Sequence, residues 1–261
     1  MTDPPGLGSL DPESHLRDPA RKQRYVTTLF DTVAPSYDRF TRWFSAGMDA
    51  RWKRLLARWA VEGLGPGDLV ADLACGTGDL LAAVRQAGGP AVELVGLDPS
   101  RGMLARASDR VRAESVRRSG GPPVRLVRAD MLALPLPAAG AAAVTVGYGF
   151  RNVPSLPRAL DEARRVLRPA GRLVSLDFFL PDRGTWRRLF RWYLRRAGRL
   201  AGRWWHGEPE AYGYIDRSLE GWLTPARFAT ALGRAGFTVE RVARRLGGGI
   251  CLHQARKTEG S

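Results

Sequence analysis

Residues 71–79, Ala-Asp-Leu-Ala-Cys-Gly-Thr-Gly-Asp, follow directly on the apolar pair Leu69-Val70. An apolar run that passes an acid, Asp72, and then reaches Gly76 and Gly78 reads as a buried strand turning into a helix. Glycines at such a turn let a ligand approach the backbone and expose the first N–H groups of the helix. A dinucleotide fingerprint would need a third glycine where Leu81 stands, so NAD is disfavoured. A second apolar run, Val92–Asp98, ends twenty positions beyond Gly78 in an acid able to accept two ribose hydroxyls. An acid before the turn, an acid for the ribose and no third glycine suit S-adenosylmethionine. Asp130, closing a third run in Arg-Ala-Asp-Met, would face the adenine edge. Cys75 has two readings, a nucleophile that adds to a pyrimidine ring or a small turn residue. Its place inside the glycine turn, with no Pro-Cys loop after the fourth strand, favours the turn residue.

Outward from this loop the same rhythm continues. "AAAVTVGYG" (141–149) and "GRLVSLDFF" (171–179) are a fourth and fifth strand. Between them Leu156, Leu160, Ala163, Val166 and Leu167 recur at helical spacing, with Pro169 and Gly171 expected to end that helix. Alternating strands and helices predict an α/β fold with a parallel sheet, helices on both faces and ligands at the carboxyl ends of the strands. An aromatic-rich helical stretch precedes this core, and a helix with two strand candidates, 237–246 and 249–257, closes the chain. The expected division is a disordered leader over 1–20 and one domain over 21–261. Within it lie a helical cap (21–62), a cofactor core (63–180), a basic aromatic lid (181–222) and a C-terminal helix with a strand pair (223–261).

The 44% hydrophobic content suits a sizeable core, and no apolar run is long enough to span a bilayer. The first twenty residues lack the apolar segment of a secretion signal. Two cysteines without framework spacing, Cys75 and Cys251, point to a reduced, cytoplasmic compartment. The formal charge of +15 is almost all arginine, since Lys22, Lys53 and Lys257 are the only lysines. It fits a compositional bias, nucleic acid or an anionic membrane. Residues 183–205 sharpen the choice. Trp186, Leu189, Phe190, Tyr193 and Leu194 follow one helical side, while Arg187, Arg188, Arg191 and Arg195 occupy the other. That pattern fits a membrane-surface element on the inner face of the membrane, and equally a lid packed on the core.

Several segments then agree in order: "FDTVAPSYD", "SAGMDARWKR", "ADLACGTGD", "GLDPSRGML", "LPLP", "GYGFRNV", "RVLRPAGRLVSLDF", "AYGYIDRSL" and "GGGICLHQARK". The chain resembles the ubiquinone/menaquinone biosynthesis C-methyltransferases from about Arg21 to Lys257. The glycine loop alone says only class I methyltransferase, whereas Phe150-Arg151-Asn152-Val153 and Tyr212-Gly213-Tyr214-Ile215 are far more specific. The resemblance implies a Rossmann-like, mostly parallel seven-stranded sheet with helical lids before the core and after strand five. It implies cofactor contacts from Asp72, Gly76, Thr77, Gly78, Asp98, Met103, Asp130, Met131 and Gly147. The implied reaction is C-methylation of a polyprenylated quinol, with Arg151, Asn152 and Tyr148 in catalytic roles. Arg151 would steady a phenolate or orient a water, and Asn152 would bond a ring oxygen. Alternatively Arg151 only pairs with a helix acid such as Asp161 or Glu162. Tyr37, Phe150, Asp177, Tyr214 and His253 are the substrate-side candidates, His253 being equally a packing residue.

This chain departs from the usual family pattern at several places, Asp49-Ala50-Arg51, Asp177 and Gly147 among them. No metal-ligand cluster is present, and none is needed. A nucleic-acid methyltransferase is disfavoured, because Gly147-Tyr148-Gly149-Phe150 lacks the proline pair that such enzymes place after strand four. Methylation of another small lipid or phenol, and a non-catalytic cofactor-binding protein, are the other readings.

Overall fold

The computed structural model describes residues 18–89, 92–117, 122–182, 184–205, 214 and 216–258; side chains at 19–20, 116–117 and 197–205 are not described. Seven strands form one sheet: β1 (Leu69–Leu73), β2 (Glu93–Asp98), β3 (Arg125–Arg128), β4 (Ala141–Gly147), β5 (Leu167–Phe178), β6 (Phe237–Arg245) and β7 (Ile250–Lys257). Their order is β3-β2-β1-β4-β5-β7-β6. All neighbours run parallel except β7, which is antiparallel to both β5 and β6. The chain builds outward from β1 to β3, then crosses back to place β4 on the other side of β1. That reversal opens a crevice at the carboxyl ends of β1 and β4, where open α/β sheets bind ligands. β4 is buried on both faces through Val146, which explains its unbroken apolar run; the edge strand β6 is mostly exposed.

Helix α4 (Asp79–Gly88) starts where the glycine loop ends, and α5 (Arg101–Arg117) follows β2. Gly78 has φ +77°, and a Cβ there would come within 3.2 Å of Ala107 on α5, so this turn needs glycine twice over. Helix α6 (Leu156–Val166) is capped by Ser155, whose hydroxyl accepts the Arg158 N–H, and carries proline in its first turn. It stops at Val166, earlier than the sequence predicts, and β5 begins at once. Pro169 disfavours helical backbone at Arg168, and Ala170 adopts φ +55°. The register slips opposite this segment, between Ala141 and Ala143, so the Pro-Ala-Gly stretch is a bulge within the strand.

Among the described residues three helices precede the sheet: α1 (Pro19–Val33), α2 (Tyr37–Phe44) and α3 (Met48–Val61). Helix α1 begins inside the stretch expected to be leader, and residues 1–17 lie outside the described residues. Polar anchors tie the cap to the loops around the crevice. Lys22 donates to the carbonyls of Val153 (2.9 Å) and Arg151 (3.3 Å). Asp31 accepts the Ser100 hydroxyl (2.5 Å) and the Gly102 N–H (2.8 Å), closing the start of α5. Asp38 accepts the Thr77 hydroxyl at 2.6 Å and pairs with Arg110. On the other side, α7 (Gly184–Trp205) buries Phe190 and Leu194. A Cβ on Gly249 would stand 2.4 Å from the Phe190 ring, so the glycine loop between β6 and β7 lets α7 sit this close. Helix α8 (Pro225–Arg234) precedes β6.

Candidate active site

Two cavities meet over the carboxyl ends of the strands. The first is lined by Ala74 and Gly76 after β1, Asp98 and Pro99 after β2, Asp130 and Met131 after β3, and Gly147 to Gly149 after β4. Met103 and Leu134 form apolar walls, and Gln23, Val26 and Phe30 of α1 close the top. Asp98 is fixed by its neighbours: one oxygen accepts the Gly76 N–H and the other the Ser100 N–H, both at 2.9 Å. Burial pushes its carboxyl up to about 6, partly offset by these two bonds. At neutral pH it remains mostly an acceptor, as a ribose diol requires. Beside it the positive-φ Gly76 faces open space where a Cβ would sit. A glycine floor, paired acids at the ends of β2 and β3, and methionine and leucine walls fit an adenosine. The aromatic faces of Phe30, Tyr37 and Tyr148 fit a sulfonium cation.

The second cavity, about 460 Å³, is lined by α1, α2, α3 and α7 and by the ends of β5 and β7. Its wall is aromatic and aliphatic: Phe40, Phe44, Trp52, Phe178, Phe190 and Ile250 are typical. Among the described residues Arg151 is its one charged side chain. Phe30, Tyr37 and Tyr148 line both cavities and mark the junction.

The loop after β4 builds that junction. Tyr148 adopts φ +60°, which a tyrosine holds only when its surroundings over-determine it. Its N–H donates to the Leu176 carbonyl at 2.7 Å. Its carbonyl accepts Arg151 Nη1 (3.0 Å) and Asn152 Nδ2 (2.9 Å). Its hydroxyl donates to Asp49 at 2.6 Å. Gly149 must be glycine, since a Cβ would lie 2.8 Å from Val146 and 3.0 Å from Ala74.

Arg151 is buried, and its Nη1 bonds Asp177 Oδ1 at 2.6 Å while its backbone N–H donates to the other oxygen at 3.2 Å. Burial works against the guanidinium charge, but Asp177 outweighs it and holds Arg151 above its ordinary value. The partner is therefore the acid ending β5, and neither Asp161 nor Glu162. Tyr37 is pushed up to about 12 by burial, against the pull of Lys53 and Arg151, so its phenol keeps its proton.

Of the expected cofactor residues, Gly76, Asp98, Met103, Asp130, Met131 and Gly147 line the first cavity. Asp72, Thr77 and Gly78 line neither. Asp72 sits behind the loop, bonded to Thr145 at 2.7 Å, and Thr77 is committed to Asp38. Tyr37, Tyr148, Arg151 and Tyr214 line the second cavity. Asn152 lines the first cavity and not the second, and it is corrected from a ring-oxygen donor to a brace, because its amide holds the Tyr148 carbonyl and accepts the Tyr214 hydroxyl at 3.0 Å. Asp177 is likewise corrected from substrate contact to the support beneath Arg151. Phe150 and His253 leave the site altogether. Both are buried on the far side of the sheet, packed against Phe228 at 5.7 and 5.0 Å between ring centroids. Burial pushes His253 down to about 4, which suits a neutral packing residue. Cys75 is buried with its thiol held well above its ordinary value by burial, so it is inert. Gln23, Val26, Phe30 and the Asp49–Tyr148 pair belong to the site without having been expected from the sequence.

Crossover position, glycine turn and acids at the ends of β2 and β3 together define a class I S-adenosylmethionine-dependent methyltransferase. The chain belongs to the ubiE/COQ5 methyltransferase family, whose model matches residues 19–257. It is 37% identical over 211 residues to a demethylmenaquinone methyltransferase of Thermus thermophilus, covering 81% of this chain and 92% of that one. It is also 37% identical over 200 residues to a 2-phytyl-1,4-naphtoquinone methyltransferase of Trichormus variabilis, covering 75% and 82%. A solved geranyl diphosphate methyltransferase in complex with SAM shares the fold, with TM-score 0.59, 16% identity and 95% of each chain covered.

Proposed function

We propose that this protein methylates a ring carbon of a reduced, polyprenylated naphthoquinol drawn from an anionic membrane surface. The observation that carries the reading is an apolar cavity with one buried arginine, opening onto the cofactor cavity at Phe30, Tyr37 and Tyr148. The names of the two relatives supply the ring class. When bound, S-adenosylmethionine supplies an electrophilic methyl on a sulfonium. Only an electron-rich ring carbon attacks such a methyl well, so the quinol is the substrate and the quinone is not. Arg151 stays charged and is held by Asp177 and by Ser218 (3.3 Å), a preorganised partner for developing negative charge on a ring oxygen. Asn152 and Asp177 support the loop that presents it. The aromatic wall excludes water and aligns the ring for in-line transfer.

The test is methyl transfer to chemically reduced demethylmenaquinone, read by mass spectrometry, with a methoxy-benzoquinol as competitor. Methylated naphthoquinol is expected. Methylation of the benzoquinol alone would move the ring assignment, and no product from either would overturn the reading.

The mouth of the second cavity supports the membrane part. Trp186, Leu189, Trp192 and Tyr193 of α7 line it and are 37–51% exposed, an unusual cluster for a water-facing rim. Among the described residues no helix is long and apolar enough to cross a membrane. Part of the basic face is used internally: Arg191 pairs with Asp216 (2.8 Å) and Glu220 (2.9 Å). Arg188 and Arg196 are exposed, and Arg196 lies over the Trp192 ring. The expected outcome is flotation with phosphatidylglycerol vesicles at low salt and release at 1 M salt, where charges are screened beyond about 3 Å. Leu189→Glu with Trp192→Glu should cut vesicle-bound protein at least tenfold. It should also raise KM for a long-tailed quinol while sparing a short-tailed one. Protein that stays in the aqueous phase at low salt would refute docking.

A further inference from the structure

Adding a methyl to the ring releases one proton per turnover, into a cavity whose wall is almost wholly apolar. We propose that Tyr148 and Asp49 form a proton outlet from the junction of the two cavities to a separate polar cleft on the other side of α3. The proposal rests on the quinol reading of the site.

The geometry is a short buried chain. Tyr148 lines both cavities, and its hydroxyl donates to Asp49 Oδ1 at 2.6 Å, leaving the phenolic oxygen free to accept from a ring hydroxyl. The second Asp49 oxygen meets Lys53 Nζ at 2.6 Å, and Lys53 meets Asp79 at 2.5 Å. Asp49 and Lys53 are 6% and 5% exposed, whereas the Asp79 side chain is 29% exposed. These three acids and bases line a cleft of about 360 Å³ whose other walls include Asp38, Arg42, Arg54, Arg110 and Glu114. Thr41 and Ser45 line both the cleft and the apolar cavity and belong to the wall between them; Tyr148 is absent from the cleft and Asp49 from the apolar cavity, so their hydrogen bond crosses that wall. Burying this many charges brings little stability in itself, which leaves their purpose to be explained.

In the transfer, the ring carbon's electron pair forms the bond to the methyl, and the sulfur–methyl bond breaks with its pair passing to sulfur. The adjacent ring hydroxyl gives its proton to the Tyr148 oxygen while Tyr148 gives its own to the Asp49 carboxylate. The ring, now a carbonyl tautomer with a hydrogen beside the new methyl, regains aromaticity by moving that hydrogen, as a proton, to the carbonyl oxygen. Asp49 then releases its proton to water in the cleft. One proton leaves, matching the positive charge lost from sulfur. Tyr148 remains neutral before and after, as its strongly raised pKa requires; burial and the nearby Asp49 both raise it. Lys53 and Asp79 are positioning residues.

Asp49→Ala should lower kcat on the reduced naphthoquinol by about a hundredfold, the usual worth of a proton-transfer group. Cofactor affinity by calorimetry should stay within twofold. Sodium formate, entering the open cleft beside Lys53, should restore at least a third of the lost rate. Tyr148→Phe should lose turnover similarly and gain nothing from formate. Should Asp49→Ala fold poorly, Asp49→Asn keeps the shape and, assayed well below its own melting temperature, must show the same loss of kcat. Retention of kcat within twofold in either variant, or a loss that formate leaves untouched, overturns the outlet. An inactive wild-type protein on every quinol offered would instead sink the proposed function.

Discussion

Asp177→Ala should lower the unfolding free energy by about 3–5 kcal/mol, the cost of stranding a buried charge by removing its partner. Arg151 is 4% exposed and Asp177 1% exposed, and their ion pair is 2.6 Å long. A guanidinium cannot shed its proton below a pH of about 12, so Arg151 would stay charged with its main acceptor gone. Two backbone N–H groups, of Arg151 and Phe178, would lose their acceptor as well. The reverse deletion is milder for a chemical reason. Burial already pushes the Asp177 carboxyl upward, so in Arg151→Ala it can take a proton and become neutral. Arg151→Ala should therefore destabilise by roughly 1–3 kcal/mol, the range for an unsatisfied buried group. Turnover should rank differently: Arg151→Ala loses at least tenfold in kcat with cofactor affinity unchanged, because the guanidinium lines the cavity and Asp177 does not. Urea unfolding and quinol kinetics on both variants settle the ordering. Equal destabilisation would refute the charge argument, and unchanged turnover in Arg151→Ala would reduce it to a loop brace.

The sheet was legible because local signals and tertiary demands agree there. Buried parallel strands need unbroken apolar runs, and β1, β2 and β4 have them. Glycines follow β1 and an acid closes β2 at the face where ligands bind, so Gly76 and Asp98 could be picked from spacing, whereas Gly147 came only with the family resemblance. The helix end at Pro169-Ala170-Gly171 was misjudged because the same residues suit a helix stop and a strand bulge. Only the pairing with β4 decides between them.

The site was half legible, and strand alternation explains part of the shortfall. On β7, Ile250 and Leu252 face one cluster of the core and Cys251 and Ala255 the other. His253 shares the parity of Cys251, and one position decides that it packs on Phe228 while Ile250 lines the cavity. Phe150 belongs to the same far cluster, although its neighbours Tyr148 and Arg151 line the cavity. The cap's contacts, Tyr37 apart, were invisible for a different reason. Lys22 reaches carbonyls 129 and 131 residues away, and Tyr148 meets Asp49 across 99. No spacing rule connects such pairs; only the docking of α1 and α3 over the sheet brings them together.

Asp72→Asn should flatten the fall in stability between pH 6.5 and 8 and leave the variant several degrees more heat-resistant at pH 8. Asp72 is fully buried, one oxygen accepts the Thr145 hydroxyl at 2.7 Å, and the other has no partner among the described residues. Burial pushes its carboxyl up to about 8, with Thr145 pulling only partly the other way. An unfolded aspartate titrates near about 3.9. Between these values the folded chain holds a proton that the unfolded chain has released, so stability declines as pH rises and the full penalty is reached above pH 8. At about 1.36 kcal/mol per pH unit, the half of that window above pH 6 carries roughly 2–3 kcal/mol. The substituted amide mimics the neutral acid, keeps an acceptor for Thr145 and has no charge to bury. The choice of window matters. Asp98, pushed up to about 6 by burial, adds a decline of the same sign but below that pH. His253, pushed down to about 4, acts oppositely: the unfolded imidazole gains its proton below about 6.5, and stability falls with acid. Both groups act equally in wild type and variant, so the difference between the two proteins belongs to Asp72. Thermal unfolding without added cofactor at pH 6.5, 7.25 and 8 gives the comparison, and parallel curves for the two proteins would show that Asp72 is ionised throughout.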